Sequence, residues 1–211
     1  MSMLFNYIGM YILFAVIGAV LYIPFRVLYL RKKDALAFSA SELFRLLFFL
    51  SIFAVLSQTV FPDFSVALMP GELSVRAYYP RFLIDLSNKG SKFVFYEDIS
   101  IHFNLIPFKT IVSYINNANS LNEAVRAISN VIGNLCLFVP IGFLFPLASK
   151  KVSLKRFIIF VLLLILAIEA VQFYVGRSAD IDDLILNLLG ALCGYLGCCI
   201  VKKIGKRFCH K

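Results

Sequence analysis

Apolar residues in this chain fall into five long runs, each bounded by charge or by a helix breaker. The first extends from about Leu4 to Leu30 and has no charge before Arg26. The second, about Leu43 to Phe61, opens beside Glu42 and Arg45 and stops at Pro62 and Asp63. The third covers about Val131 to Ala148, the fourth about Phe157 to Val175, and the fifth about Leu184 to Val201. Each is close to the ~20 residues that cross the hydrocarbon core of a bilayer. The pattern predicts an all-α fold, a polytopic membrane helix bundle of five transmembrane helices, in a single domain over residues 1–211. A signal peptide has a basic start and a shorter apolar core, so the first run reads as a retained anchor.

Residues 62–129 are too many for a plain connector. They mix aromatic, apolar and charged side chains, which predicts an ordered extracytoplasmic loop region. Ser120 and Glu123 form an S-x-x-E capping box, so a helix is expected to start there and run on into the third span. Pro140 and Gly142 are expected to bend or break that span. The Ile101 to Ile111 stretch, interrupted by Pro107, is expected to lie along the membrane surface or to re-enter it.

Composition strengthens the membrane reading. Of 211 residues 61% are hydrophobic, against about half in a soluble domain. The formal charge of +9 is concentrated beside the apolar runs, at 31–33, 150–156 and 202–207. An even number of spans separates these clusters, so they share one side, and the positive-inside rule makes that side cytoplasmic. The amino terminus is then expected outside, the carboxyl terminus in the cytoplasm, and the 62–129 loop and 176–182 turn outward. Charge placed in this way argues against a nucleic-acid partner. The five cysteines, Cys136, Cys193, Cys198, Cys199 and Cys209, include no C-x-x-C pair, and the long loop has none. They read as buried free thiols rather than a disulfide framework. The two histidines, His102 and His210, fall on opposite sides, so no His metal site is expected. No cofactor motif is visible, whether a P-loop or a Gly-rich nucleotide loop.

Polar residues inside the spans carry the chemistry. Asn130 and Asn134 lie four apart on one helix face, and an amide in lipid needs a partner. They read either as interhelical glue or as the lining of an outward polar cavity. Glu169 sits about 9 Å inside the end of the fourth span at 1.5 Å per residue, and Gln172 is near it on the same face. An ionisable group at that depth is expected to face the bundle interior. Arg177 follows on the turn, then Asp180, Asp182 and Asp183 at the start of the fifth span. Acids there cap free helix amides, and Arg177 is positioned for a bidentate bond to one of them. Asp183 and Asn187 face together. Gly190, Gly194 and Gly197 continue as a small-residue stripe that allows close helix approach.

Three stretches resemble the VanZ-like family: NVIGNLCLFVPIGFLFPL (130–147), IEAVQFYVGRSADIDDLILNLLGALCGY (168–195) and NLIPFKTI (104–111). The resemblance covers roughly the second half of the chain. It implies an integral protein of the bacterial cell membrane, related to proteins associated with low-level resistance to teicoplanin, a lipoglycopeptide. It marks Asn104, Pro107, Phe108, Pro140, Gly142 and Gly190 as motif positions, beside the polar residues named above. Ala179 departs from the pattern, because an aromatic often precedes the Asp motif.

Three functions are compatible with these residues. One is binding of a membrane lipid, a lipid-linked wall precursor or a lipoglycopeptide at an outward polar pocket. That pocket would be lined by Asn130, Asn134, Glu169, Gln172, Arg177, Asp180, Asp182, Asp183 and Asn187. A second is catalysis on a lipid or wall substrate, with Glu169, Asp180, Asp182 and Asp183 as candidate acids and bases. A third is transport through buried carboxylates.

Overall fold

The computed structural model describes residues 2–32, 39–60, 63–69, 72–78, 82–87, 90–96, 103–116, 121–149, 153–177 and 179–208. Among the described residues five helices are long and apolar enough to cross a membrane. They are α1 (Ser2–Arg31), α2 (Ala40–Thr59), α4 (Leu121–Ala148), α5 (Leu154–Tyr174) and α6 (Ile181–Phe208), with a short α3 (Lys109–Asn116) before α4. Large apolar side chains cover their outer surfaces, as in Val20, Leu163 and Ile200. Such exposure is stable only where lipid replaces water.

Helix α4 begins at Leu121, directly after the capping-box position Ser120, which itself lies outside the described residues. It continues without interruption through Pro140 and Pro146, so the expected break does not occur. A proline here removes one backbone donor, and the contacts of a packed bundle keep the helix continuous. Its neighbour is α6, which runs parallel to it and unusually close. A Cβ on Gly190 would stand 1.9 Å from the Leu135 carbonyl oxygen, and one on Gly194 would stand 2.1 Å from that of Val139. Reciprocally, a Cβ on Gly142 would stand 1.9 Å from Ala191 O. Gly142 is therefore a packing residue and not a helix breaker. Gly197 does not belong to this contact, since a Cβ there would meet its nearest atom at 3.9 Å.

Around this pair the core is built from Val55, Phe138, Ile141, Phe157, Val161, Ile165, Ile168 and Ala191. Phenylalanine fills the bundle between α2, α4, α5 and α6. Phe145 stacks on Phe160 at 5.2 Å and Phe157 on Tyr195 at 4.6 Å between centroids. Of the cysteines, only Cys198 is buried; Cys136, Cys193 and Cys199 are exposed free thiols on the bundle exterior, and Cys209 lies outside the described residues. The expectation of buried thiols holds for one position, because the others fall on outward faces of α4 and α6.

The two ends of the bundle differ in charge. At the basic end Arg26 holds Glu42 through two bonds of 2.6 and 2.8 Å, and Arg45 also binds Glu42. Arg45 Nε donates to Ala148 O at 3.1 Å, and Lys202 Nζ donates to Pro146 O at 2.8 Å. Both satisfy carbonyls that the last turn of α4 leaves unpaired.

At the opposite, acidic end the described part of the 62–129 segment holds regular structure, including strands that the sequence reading did not identify. Strands β1 (Asp63–Met69), β2 (Glu72–Tyr78), β3 (Phe82–Ser87) and β4 (Gly90–Phe95) form an antiparallel sheet in the order β1-β2-β3-β4. Its register aligns apolar positions across all four strands: Val66 with Val75 and Val75 with Leu86, then Ala77 with Ile84 and Ile84 with Phe93. The alternate positions align Ser65 with Arg76, Arg76 with Asp85, and Asp85 with Lys92. A period of two thus gives one mainly apolar face and one mixed face, where the charged row stands beside the row Tyr78, Leu83 and Val94. Farther on, β5 (Phe103–Asn104) pairs in parallel with β6 (Ala179–Asp180). The stretch around Pro107 therefore folds onto the start of α6, and its residues 101 and 102 lie outside the described ones.

Candidate functional site

The α5–α6 turn and the segment before α3 interlock. Asp182, only 1% exposed, reaches across to the first turn of α3. Its Oδ1 accepts from Phe108 N at 2.5 Å, and its Oδ2 accepts from Thr110 N at 2.9 Å and Ile111 N at 3.2 Å. The carboxylate thus supplies from a distant part of the chain the cap that α3 lacks locally. Phe108 adopts φ 65°, a left-handed conformation uncommon for a residue with a Cβ, and the bond from its N–H to Asp182 holds it there.

Asp180 performs the reciprocal task. Its Oδ1 accepts from Asp182 N at 3.0 Å, capping α6, and from Asn104 Nδ2 at 3.0 Å. Asn104 also donates to Thr110 Oγ1 at 2.9 Å and accepts from Ile106 N at 3.3 Å, closing the turn that precedes Pro107. The two motif stretches 104–108 and 180–183 are therefore one structure, held by paired helix caps.

Next to this interlock lies a cavity of about 260 Å³. Thr110 and Ile111 of α3, Asn130, Val131 and Asn134 of α4, Arg177 of the turn, and Asp180, Asp182, Asp183 and Leu186 form its walls. Asn134 Nδ2 donates to Asp183 Oδ1, joining α4 to α6 at one side of the cavity. Asn130 and Arg177 are the exposed members of the lining. Among the described residues Arg177 makes no bidentate bond to an Asp. Its Nη1 donates to the Thr59 carbonyl at 3.1 Å.

Three of the residues expected at the pocket are not part of its lining. Gln172 is used elsewhere, donating to the same Thr59 O at 3.0 Å and tying α5 to the end of α2. Glu169 is partly buried beside the cavity. Its carboxylate lies near the Asp180 backbone N–H and within Coulombic reach of Asp180, Asp183 and Arg177. It therefore faces the acidic end's polar network. Asn187 is buried at 5% exposure, one turn below Asp183, and its Oδ1 has no hydrogen-bond partner among the described residues. The sequence reading missed Thr59 and Thr110. Thr59 closes an apolar run and Thr110 lies inside the NLIPFKTI stretch, but only the fold shows what each touches. Among the described residues no group of three or more His, Cys, Asp or Glu side chains converges as a metal site.

A family model described as VanZ/LLP1 matches residues 78–202, more than half of the chain. The chain belongs to the VanZ/LLP1 family. No curated protein and no solved structure matches it. The part shared with VanZ/LLP1 begins at the end of β2 and takes in the interlocked caps, the cavity and the last three spans. Helices α1 and α2 fall outside it. The cavity of this VanZ/LLP1 protein is thus built from the family region, and the Thr59 carbonyl that holds Arg177 and Gln172 comes from outside.

Proposed function

We propose that the protein binds the polar part of a lipid-linked wall precursor or of a lipoglycopeptide at this cavity, on the outer side of a bacterial cell membrane. In this way it would contribute to resistance to teicoplanin-type antibiotics. The observation that carries the reading is the polar cavity at one end of a membrane bundle, with the amides of Asn130 and Asn134 and the Asp183 carboxylate in its walls. At about 260 Å³ it is slightly below the range of drug-sized pockets. It suits a headgroup or a short polar segment, with the attached acyl chain lying along the lipid-facing helices. The basic residues support the orientation, since Arg31, Lys32, Lys155, Arg156, Lys202 and Lys203 stand at helix ends remote from the cavity.

Catalysis by clustered carboxylates is the second reading. It is weakened by the fact that Asp182 is saturated by three backbone N–H groups and Asp180 caps α6. That leaves Asp183 and Glu169 for proton transfer. The test compares wild type with Asp183→Asn and Glu169→Gln at equal membrane abundance. Protection against teicoplanin, and binding of the drug or precursor to protein in nanodiscs, are expected to fall at least about tenfold in both. Undiminished protection and binding in both variants would reject the pocket. Wall precursors or lipids altered by the wild type alone would favour the enzyme.

A further inference from the structure

A sheet with one apolar face must bury that face against something. In the β1–β4 sheet the apolar face is exposed at its β3–β4 side, while Ile84 is half-buried. Leu86 is 51% exposed, Phe93 64% and Phe95 54%. Among the described residues the four strands pair with one another, and none has more than marginal contact with a helix. The helix bundle therefore does not cover Leu86, Phe93 or Phe95.

What lies beside the sheet is fixed by its tethers. From Thr59, the last residue of the spanning helix α2, to Asp63, the first of β1, there are four chain steps. At 3.3–3.6 Å per residue these reach at most ~14 Å. On the other side, eight steps join Phe95 to Phe103, which is paired to Ala179 at the start of the spanning helix α6. Both attachments are at the acidic end of the bundle, where α2 ends and α6 begins. The headgroup zone of a leaflet extends roughly 5–7 Å beyond the hydrocarbon core, so the sheet is held within reach of it. The apolar surface of the bundle and that of the sheet are then neighbouring parts of one lipid-facing surface. The other face carries a half-buried apolar pair, Leu83 with Val94, and beside it Lys92, exposed, with Asp85 opposite it in register; this charged row suits a face turned to water. Tyr96, 41% exposed at the end of β4, is a residue type favoured at the headgroup level.

We propose that the apolar face of the β1–β4 sheet docks on the phospholipid leaflet at the acidic end of the bundle. The sheet then lies in the interface as a monotopic platform. It fixes the cavity mouth at headgroup height, where a lipid-borne ligand arrives sideways from the leaflet. This docking does not depend on what the cavity binds.

The chain contains no tryptophan, so single Trp substitutions report on their own surroundings. Full-length Phe95→Trp and Leu86→Trp probe the apolar face, and Lys92→Trp probes the charged row of the other. Each is placed in phosphatidylcholine–phosphatidylglycerol vesicles, with or without acyl chains brominated near the carbonyl end. Variants are compared if they elute from size exclusion as the wild type does; two probes of the apolar face guard against loss of one. Docking predicts blue-shifted emission from Phe95→Trp or Leu86→Trp that dims with brominated lipid. Lys92→Trp should stay red-shifted and open to iodide. Equal red-shifted, iodide-quenched emission from both faces would overturn the proposal. So would blue-shifted emission from the apolar face that ignores brominated lipid, since another part of the protein or a second copy would then cover it.

Discussion

The Asp182 carboxylate and the Phe108 backbone N–H meet at 2.5 Å across 74 residues of sequence. Through this bond the start of the last spanning helix sets the geometry of the loop before the third. Removing the carboxylate leaves three part-buried backbone donors at 108, 110 and 111 without their acceptor, which costs about 1–2 kcal/mol. Asp182→Ala is expected to speed amide exchange at 108–111 first, ahead of the bundle, measured by hydrogen exchange of the protein in detergent. Protection retained at those amides would show that α3 does not depend on Asp182.

The close approach of α4 and α6 makes a graded prediction. Gly142→Ala, Gly190→Ala and Gly194→Ala each place a Cβ against a backbone carbonyl, at 1.9 to 2.1 Å. The helices must separate, at a cost of about 1–3 kcal/mol. Gly197→Ala meets nothing closer than 3.9 Å and should be neutral or slightly stabilising. Thermal unfolding in detergent of the four variants checks the order, and a Gly197 variant as damaged as the others would contradict it.

At the basic end Glu42 is the shared anion of Arg26 and Arg45. Its side chain is 14% exposed and that of Arg26 24%, so solvent weakens the pair and a change of about 1 kcal/mol is expected. Glu42→Gln should loosen α1 from α2 more than Arg26→Lys, which keeps the charge and loses the two-pronged geometry. Cross-linking yield between cysteines introduced in α1 and α2 measures this.

Thr59 gives a test that separates side chain from backbone. Gln172 and Arg177 both donate to its carbonyl, not to its hydroxyl. Thr59→Val keeps that carbonyl and should cost little, whereas Gln172→Leu should lower stability by about 1 kcal/mol. Unfolding midpoints that reverse this order would mean that the hydroxyl, bonded to Val55 O at 2.9 Å, is the important group.

The five spans were legible because hydrocarbon solvent demands long apolar runs, and each run ends where charge or proline makes continued insertion costly. Asn134, Asp183 and Glu169 were legible as a group for the same reason, since polar atoms in lipid must find one another. The sheet was harder to see, because alternation over six or seven residues is a weak local signal and the pairing that gives it meaning is made between strands. The roles of the four acids could not be read from spacing. Asp180 and Asp182 differ by two positions, yet one caps its own helix and the other caps α3, and only the fold of the 103–116 segment distinguishes them.

The sequence by itself determined the solvent of this protein, the number of its spanning helices and the end at which its polar groups collect, because these follow from hydrophobicity along a line. Tertiary structure decided which carboxylates hold backbone and which face the cavity, which glycines touch a neighbour, and where Gln172 and Arg177 spend their donors. Those outcomes depend on contacts between residues far apart in the chain, and a partner brought into hydrogen-bond reach by folding leaves no trace in local composition.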